Sequence, residues 1–348
     1  MSITKVTDAG LDRSRIVTPL IINGDMSVAQ RATSATGIGN GDSGYHTVDR
    51  WQFTEVGTTS GEFTITQDTD VPTGQGFAKS TKFDVTTADT SLGSTHQIYW
   101  RQGLEGQNLQ MLKKGTSSAE KVTVSFWVKS NKTGTYIVYL LDGDNSRFVC
   151  KAYTISSSST WEKKVISFPA DTTGTLDNDN EKSLTVHFAL GAGSDFNSGT
   201  LQETWAATSG NNANRLVGQV NLLDNTSNEW YLTGVQMEVG EFDSNTIPSF
   251  PFESFESNLK KCQRYYQLAR IWWGGDATNG EEYRAGTQLS TDMRATPSVT
   301  YTHLDSANFS TSATSQSATS YNLAIRVAAA TSASARYYVF GAVADSEL

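Results

Sequence analysis

Val122-Thr123-Val124-Ser125-Phe126-Trp127-Val128 is the stretch that decides the fold class. Apolar residues at 122, 124, 126 and 128 alternate with Thr123, Ser125 and Trp127, the two-residue period of a β-strand. Both phases carry apolar side chains, so a strand buried on both faces is expected, with Trp127 in the core. Tyr136-Ile137-Val138-Tyr139-Leu140-Leu141 repeats the pattern and stops at Asp142-Gly143-Asp144-Asn145, a hairpin turn from which Phe148 to Ile155 returns. Lys164 to Phe168, Leu184 to Leu190 and Glu229 to Val239 continue the series, with Trp230 also in core phase. Strands of this length, separated by Gly, Asn, Asp and Ser, predict an antiparallel jelly-roll sandwich over residues 20–253. Strands near its two ends should pair, because a jelly roll brings its termini together.

The composition agrees with many short strands. Of 348 residues 37% are hydrophobic and 10% aromatic, so a sizeable core can be buried, while only 6 are proline and 29 are glycine. The net charge of −9 gives no basic footprint for nucleic acid or anionic lipid. No apolar run approaches the ~20 residues of a membrane span. The first residues lack the apolar core of a secretory signal, which leads us to expect synthesis and folding in a reducing cytoplasm. Cys150 and Cys262 accordingly read as two reduced, partly buried thiols.

Outside the sandwich three further regions are distinguishable. Residues 1–19 are polar with isolated apolar positions and read as an extended attachment arm. Phe255, Leu259, Cys262, Tyr266 and Ala269 recur at steps of four and three, which predicts a linking α-helix over 254–270. From 271 to 348 a second β pattern predicts a small C-terminal β-sandwich, with candidate strands at Tyr283 to Leu289, Ser298 to His303, Asn322 to Ala328 and Arg336 to Val343. Ser310 to Ser320 is low in complexity and reads as a solvated loop. Two long polar stretches, Asp171 to Glu181 and Gly193 to Arg215, exceed hairpin length and are candidate functional loops.

Reactive chemistry finds little support. The four histidines, His46, His96, His187 and His303, are dispersed and no Cys-x-x-Cys occurs, so zinc ligation has no motif. No Gly-x-x-x-x-Gly-Lys-Ser/Thr loop, no Gly-x-Gly-x-x-Gly after a predicted strand and no Gly-x-Ser-x-Gly elbow is found. Glycoside cleavage needs two carboxyl groups about 5 to 10 Å apart. Asp68 with Asp70, Asp177 with Asp179, and Asp195 sit in polar loops, as carboxylates do in any acidic β protein. No catalytic residue is assigned, and a non-enzymatic protein is expected.

Aromatic residues are the better lead to a ligand. A flat exposed ring stacks on the C–H face of a sugar while neighbouring polar groups bond its hydroxyls. Trp100, flanked by Tyr99 and Arg101, and Trp205, in the second long loop, are the candidate ligand-binding residues.

Two separated segments point to a family. Leu20-Ile21-Ile22-Asn23-Gly24-Asp25-Met26 with Thr47-Val48-Asp49-Arg50-Trp51, and Tyr231 to Gly240 with Cys262-Gln263-Arg264-Tyr265-Tyr266, together resemble phage tail-fibre and virion-appendage proteins that carry a carbohydrate-binding-module-like jelly roll. Met293 to Pro297 and Ala344 to Leu348 resemble the start and close of the small C-terminal domain of that group. The resemblance implies a virion protein that binds host-surface glycan, joins other virion proteins through its arm and forms a homotrimer, with no nucleic-acid partner and no membrane insertion. It also implies, where a structural calcium is kept, Asn23, Asp25 and Glu238 as its ligands; no other cofactor is expected. Two rival functions stay open at this point: a capsid decoration or head fibre without receptor role, and a polysaccharide depolymerase.

Overall fold

The computed structural model describes residues 19–301, 304–309 and 315–348. The expected arm, His303 and residues 310–314 of the low-complexity run lie outside these residues, and the remainder of that run, expected as a loop, forms a strand over Ser315–Thr319.

The first module is built from β1 (Ser34–Gly39), β2 (Gln52–Val56), β3 (Glu62–Asp68), β4 (Ser80–Thr87), β5 (Gln97–Glu105), β6 (Val122–Ser130), β7 (Gly134–Asp142), β8 (Arg147–Ile155), β9 (Glu162–Phe168), β10 (Lys182–Ala192), the short helix α1 (Ser194–Asn197), β11 (Ala206–Ala207) and β12 (Glu229–Val239). Two six-stranded antiparallel sheets result, one in the order β1-β3-β4-β12-β6-β9 and the other β11-β8-β7-β10-β5-β2. This is a jelly-roll β-sandwich. The inward phase of β6, Val122, Val124, Phe126 and Val128, enters the core between the sheets. So do Trp51, Phe83, Trp100, Phe188 and Trp230. Trp51 stacks on Trp100 with centroids 6.1 Å apart, and Phe83 meets both Trp100 and Trp230 edge-on. Burying such rings at about 25 cal/mol per Å² drives the closure.

Strands near the two ends do not pair as expected: β12 pairs with β4 and β6, and the Asn23 region meets it through a single backbone bond, Val235 N–H to Gly24 O at 2.9 Å. Gly24 must lack a side chain, because a Cβ there would lie 2.0 Å from the Val235 carbonyl oxygen.

Helix α2 (Phe255–Gln263) is shorter than predicted. Ser254 caps it by accepting from Ser257 N–H at 3.2 Å. Tyr266 and Ala269 do not extend its face. They belong to β13 (Tyr266–Ala277), whose backbone pairs with β19 (Ala333–Asp345), Tyr266 lying opposite Asp345. Tyr266 and Ala269 suit helical spacing equally well, and the ladder with β19 overrides it.

β14 (Glu282–Gln288), β15 (Ser298–Tyr301), β16 (Leu304–Ala307), β17 (Ser315–Thr319) and β18 (Asn322–Ala328) complete the second module. One sheet has β19 flanked by β13 and β15, with β16 also on β19; the other runs β14-β18-β17. Ile271, Leu323, Ile325, Val327, Tyr337 and Val339 fill its core.

Candidate functional site

Each outer face of the sandwich begins as a row of side chains pointing away from the core. On the sheet of β5, β7, β8 and β10 that row is Tyr99, Ile137, Tyr139, Phe148, Cys150 and Ala189, too apolar to face water. The long loop after β10 covers it. Phe196, Leu201 and Leu216 pack down on the row, and the loop is tied in by Cys150 N–H to Gln202 O at 2.8 Å and Ile137 N–H to Gln219 Oε1 at 2.8 Å. His187 is sealed beneath it, its ring stacked 4.2 Å from Tyr139, and burial holds it neutral by pushing its pKa well below the usual value.

The opposite outer face is only partly covered. At one end residues 240–252 cross β6: Thr123 Oγ1 donates to Gly240 O at 2.9 Å, and Ser167 Oγ donates to Phe242 O at 3.1 Å. Where that cover ends, a cleft of about 300 Å³ opens. The volume is at the lower limit for small-ligand sites. Trp127 and Ser125 of β6 and Gln236 of β12 line it, with Lys163 of β9 at the side and Phe77, Phe250 and Phe252 as an aromatic wall. The register explains the grouping, because Trp127 pairs with Lys163 on one side and Thr233 on the other, and Ser125 pairs with Gln236. Phe77 meets Phe250 edge-on at 5.1 Å and Phe252 in a tilted contact at 5.0 Å, which fixes the wall.

Gln236 is the electrostatically unfinished group. It is 3% exposed, and its Nε2 donates to Pro248 O at 2.9 Å. Its Oε1 is buried without a hydrogen-bond donor. An acceptor left so costs about 1–3 kcal/mol, which a donor entering the cleft would recover. Further along the same face Trp161 Nε1 donates to Asp70 Oδ1 at 2.9 Å, Lys129 pairs with Asp70, and Lys129 Nζ lies 3.9 Å from the Tyr231 ring centroid. Burial raises the Asp70 pKa, but the bonds from Lys129 and Trp161 outweigh it and hold the carboxyl below its usual value.

The residues expected from sequence to bind ligand lie elsewhere. Trp100 is fully buried and cannot meet a sugar from outside. Tyr99 is 2% exposed under the long loop and donates to Gln97 Oε1. Arg101 is half-buried and its Nε donates to Gln52 Oε1 at 2.8 Å. Trp205 is half-buried at the start of another crevice, its Nε1 donating to Pro169 O at 2.8 Å and Lys114 Nζ 4.6 Å from the ring centroid. The four do not form one site. Conversely Trp127, expected in the core, lines the open cleft. It shares its phase with Thr123 and Ser125, and that polar company was the available signal that this phase faces outward.

Asn23, Asp25 and Glu238 also have other duties. Asn23 Nδ2 donates to Val28 O and Asp49 O, both at 2.9 Å, and Oδ1 accepts from Val28 N–H at 2.9 Å. Asp25 Oδ1 accepts from Ser27 Oγ at 3.0 Å and from Asn258 Nδ2 at 3.1 Å. Burial raises the Asp25 pKa more than these bonds lower it. Glu238 lies opposite Thr123 in β12. A cation at Asn23 and Asp25 would have to displace these N–H and O–H donors. Among the described residues no group of three or more His, Cys, Asp or Glu is placed to hold a metal ion.

The rest of the two-segment pattern is internal as well. Trp51 Nε1 donates to Asn23 O at 3.1 Å. Arg50, 1% exposed, pairs with Glu347 and lies 3.4 Å from the Tyr265 ring centroid. Glu105 accepts from Arg264 Nε and Nη2 at 3.0 and 2.9 Å and from Tyr265 O–H at 2.6 Å. These bonds join the jelly roll to the residues that follow α2 and to Glu347, just beyond β19. Cys150 and Cys262 are both buried and unpaired, as expected. A larger groove of about 550 Å³ beside Leu20, Ile22, Met111 and Arg264 presents no open ring face, since its one aromatic, Tyr265, is 1% exposed.

No family model matches the chain, and no curated protein does. Several solved structures resemble it. The family 11 carbohydrate-binding module from Clostridium thermocellum, solved in complex with a β-1,3-1,4-mixed-linked tetrasaccharide, is 10% identical with a TM-score of 0.29, covering 61% of this chain and 99% of the module. The C-terminal family 22 carbohydrate-binding module of Clostridium thermocellum Xyn10B is 12% identical with a TM-score of 0.28, covering 64% and 100%. The enzymatically active domain of bacteriophage CBA120 tailspike protein 4 is 14% identical with a TM-score of 0.32, covering 59% of this chain and 21% of that one. The chain therefore spans about a fifth of the tailspike domain it resembles. Likeness of this degree concerns strand layering alone.

Proposed function

We propose that the protein binds a glycan in the cleft over β6 and β12, as a non-enzymatic appendage of a phage virion that attaches to the host surface. The observation that carries the binding role is a half-buried tryptophan beside a buried acceptor with no donor, where the cover over the outer face ends. The indole of Trp127 offers a surface for the C–H face of a sugar ring, and a sugar hydroxyl donates to Gln236 Oε1. Ser125 and Gln75 supply further polar groups at the edge. The virion role is supported by the resemblance of the Asn23 and Arg264 segments to appendage proteins, as is assembly through the N-terminal arm into a homotrimer. The test is a glycan array built from host-envelope material, read with wild type and Trp127→Ala. Wild type is expected to bind and the variant to be silent. Equal signals from the two proteins would remove the cleft from the account, and release of reducing ends from any bound polysaccharide would contradict the non-enzymatic role. Electron microscopy of labelled virions locates the protein on head or tail.

A further inference from the structure

We infer that the cleft is made for a glycan carrying an anionic group, a uronic acid or a phosphorylated sugar, with Lys163 as its counter-charge. This rests on reading the cleft as a glycan site. Among the residues lining it Lys163 is the sole charged one. It lies directly across from Trp127 in the β6–β9 register, so an anion on a ring stacked over the indole falls beside the ammonium group. Neighbouring lysines are already neutralised: Lys129 pairs with Asp70, Lys164 with Glu162 at 2.6 Å, and Lys82 with Asp84 and Glu229 at 2.8 and 3.3 Å. Lys163, which is exposed, makes no ion pair among the described residues. The protein as a whole carries a net charge of −9, so one uncompensated cation beside a tryptophan is a local reversal of sign. An acidic sugar gains a charge-assisted bond there, while a neutral one gains only the stacking and the bond to Gln236.

The experiment uses the full chain in affinity electrophoresis and titration calorimetry against matched pairs of polymers. Each pair is an acidic polysaccharide and its carboxyl-reduced neutral form (polygalacturonate, alginate, hyaluronan), and host lipopolysaccharide before and after dephosphorylation. Expected are tighter binding to the charged member of a pair by about tenfold, the low end for a hydrogen bond to a charged group, and weakening of that preference by salt. Lys163→Gln should bring the charged member down to the neutral one, and Lys163→Arg should keep the preference. Lys163 is exposed, so neither change should affect folding. If wild type holds charged and neutral members equally, or Lys163→Gln keeps the preference, the anionic ligand is refuted and the glycan reading stands. If wild type retains none of them while remaining folded, the glycan reading fails and takes this inference with it.

Discussion

Asn23→Ala is the substitution that best separates scaffold from surface. Asn23 is 2% exposed and has φ of 56°, in the left-handed region where Asn is tolerated and Ala is not. Placing Ala there costs about 1 kcal/mol of backbone strain. Its amide also satisfies the Val28 N–H, which would be left buried without an acceptor, at about 1–3 kcal/mol. The carbonyl of Val28 keeps a donor, because Asp49 N–H also reaches it at 3.0 Å, so that part of the loss is small. The expected total is about 3 kcal/mol of jelly-roll stability. Asn23→Gly adopts the same φ without strain and should cost about 1 kcal/mol less than Ala. The assay is urea unfolding followed by tryptophan fluorescence, which reports this module through buried Trp51, Trp100 and Trp230. An Ala variant within 1 kcal/mol of wild type would refute the structural role of the amide, and a Gly variant as damaged as Ala would refute the contribution of φ.

Three further outcomes are expected. Trp100→Ala should lower stability by about 3–5 kcal/mol through an emptied core, whereas Trp127→Ala should leave the melting temperature within a few degrees and abolish glycan binding; calorimetry and thermal melts on both variants check this. Glu105 is pulled in two directions, since burial raises its pKa and the stronger bonds from Arg264 and Tyr265 bring it below the usual 4.5. A depressed carboxyl stabilises the fold above its unfolded value and loses that contribution as pH falls through the folded one, so wild type should weaken between about pH 5 and 3 and Glu105→Gln should show a shallower decline in pH-resolved melts. Glu347→Gln should cost about 3 kcal/mol, because Arg50 is 1% exposed and would lose its carboxylate while remaining buried; an unchanged midpoint in denaturant titration would show that Gly103 O and the Tyr265 ring suffice for it.

Strand positions were legible because their alternation is a local property: β6, β7, β8, β9, β10, β12, β14 and β18 fall where apolar residues recur at every second position. Helix α2 was legible only as far as Gln263, since Tyr266 and Ala269 satisfy both periods and a partner strand more than 70 residues later decides between them. Site residues were harder for a related reason. Trp100 stands among Tyr99, Arg101 and Gln102, company that looks like a binding surface, yet Tyr99 and Arg101 occupy the opposite phase of β5. Nothing local tells which phase is inner when the outer one is later roofed by the loop carrying Phe196, Leu201 and Leu216.

Mutual bonding, and not that roof, explains why the residues that suggested a family are not those that would hold a ligand. Asn23, Asp49, Arg50, Trp51, Arg264 and Tyr265, with Glu105 and Glu347 as partners, are bonded across distant parts of the chain, and each is fixed in type by its partners: an amide at positive φ, a cation against a carboxylate and a ring, an indole donating to a turn. Altering one leaves a buried charge or donor unpaired, at a cost of several kcal/mol. Half-buried Trp127 and exposed Lys163 face no such mutual constraint, and Gln236, though buried, commits only its Nε2, to Pro248 O. A sequence pattern built on the first group therefore reports how the modules are joined. On the proposed function the ligand meets the second group, where one exposed lysine can be exchanged at little cost to folding and would reset which glycan is preferred.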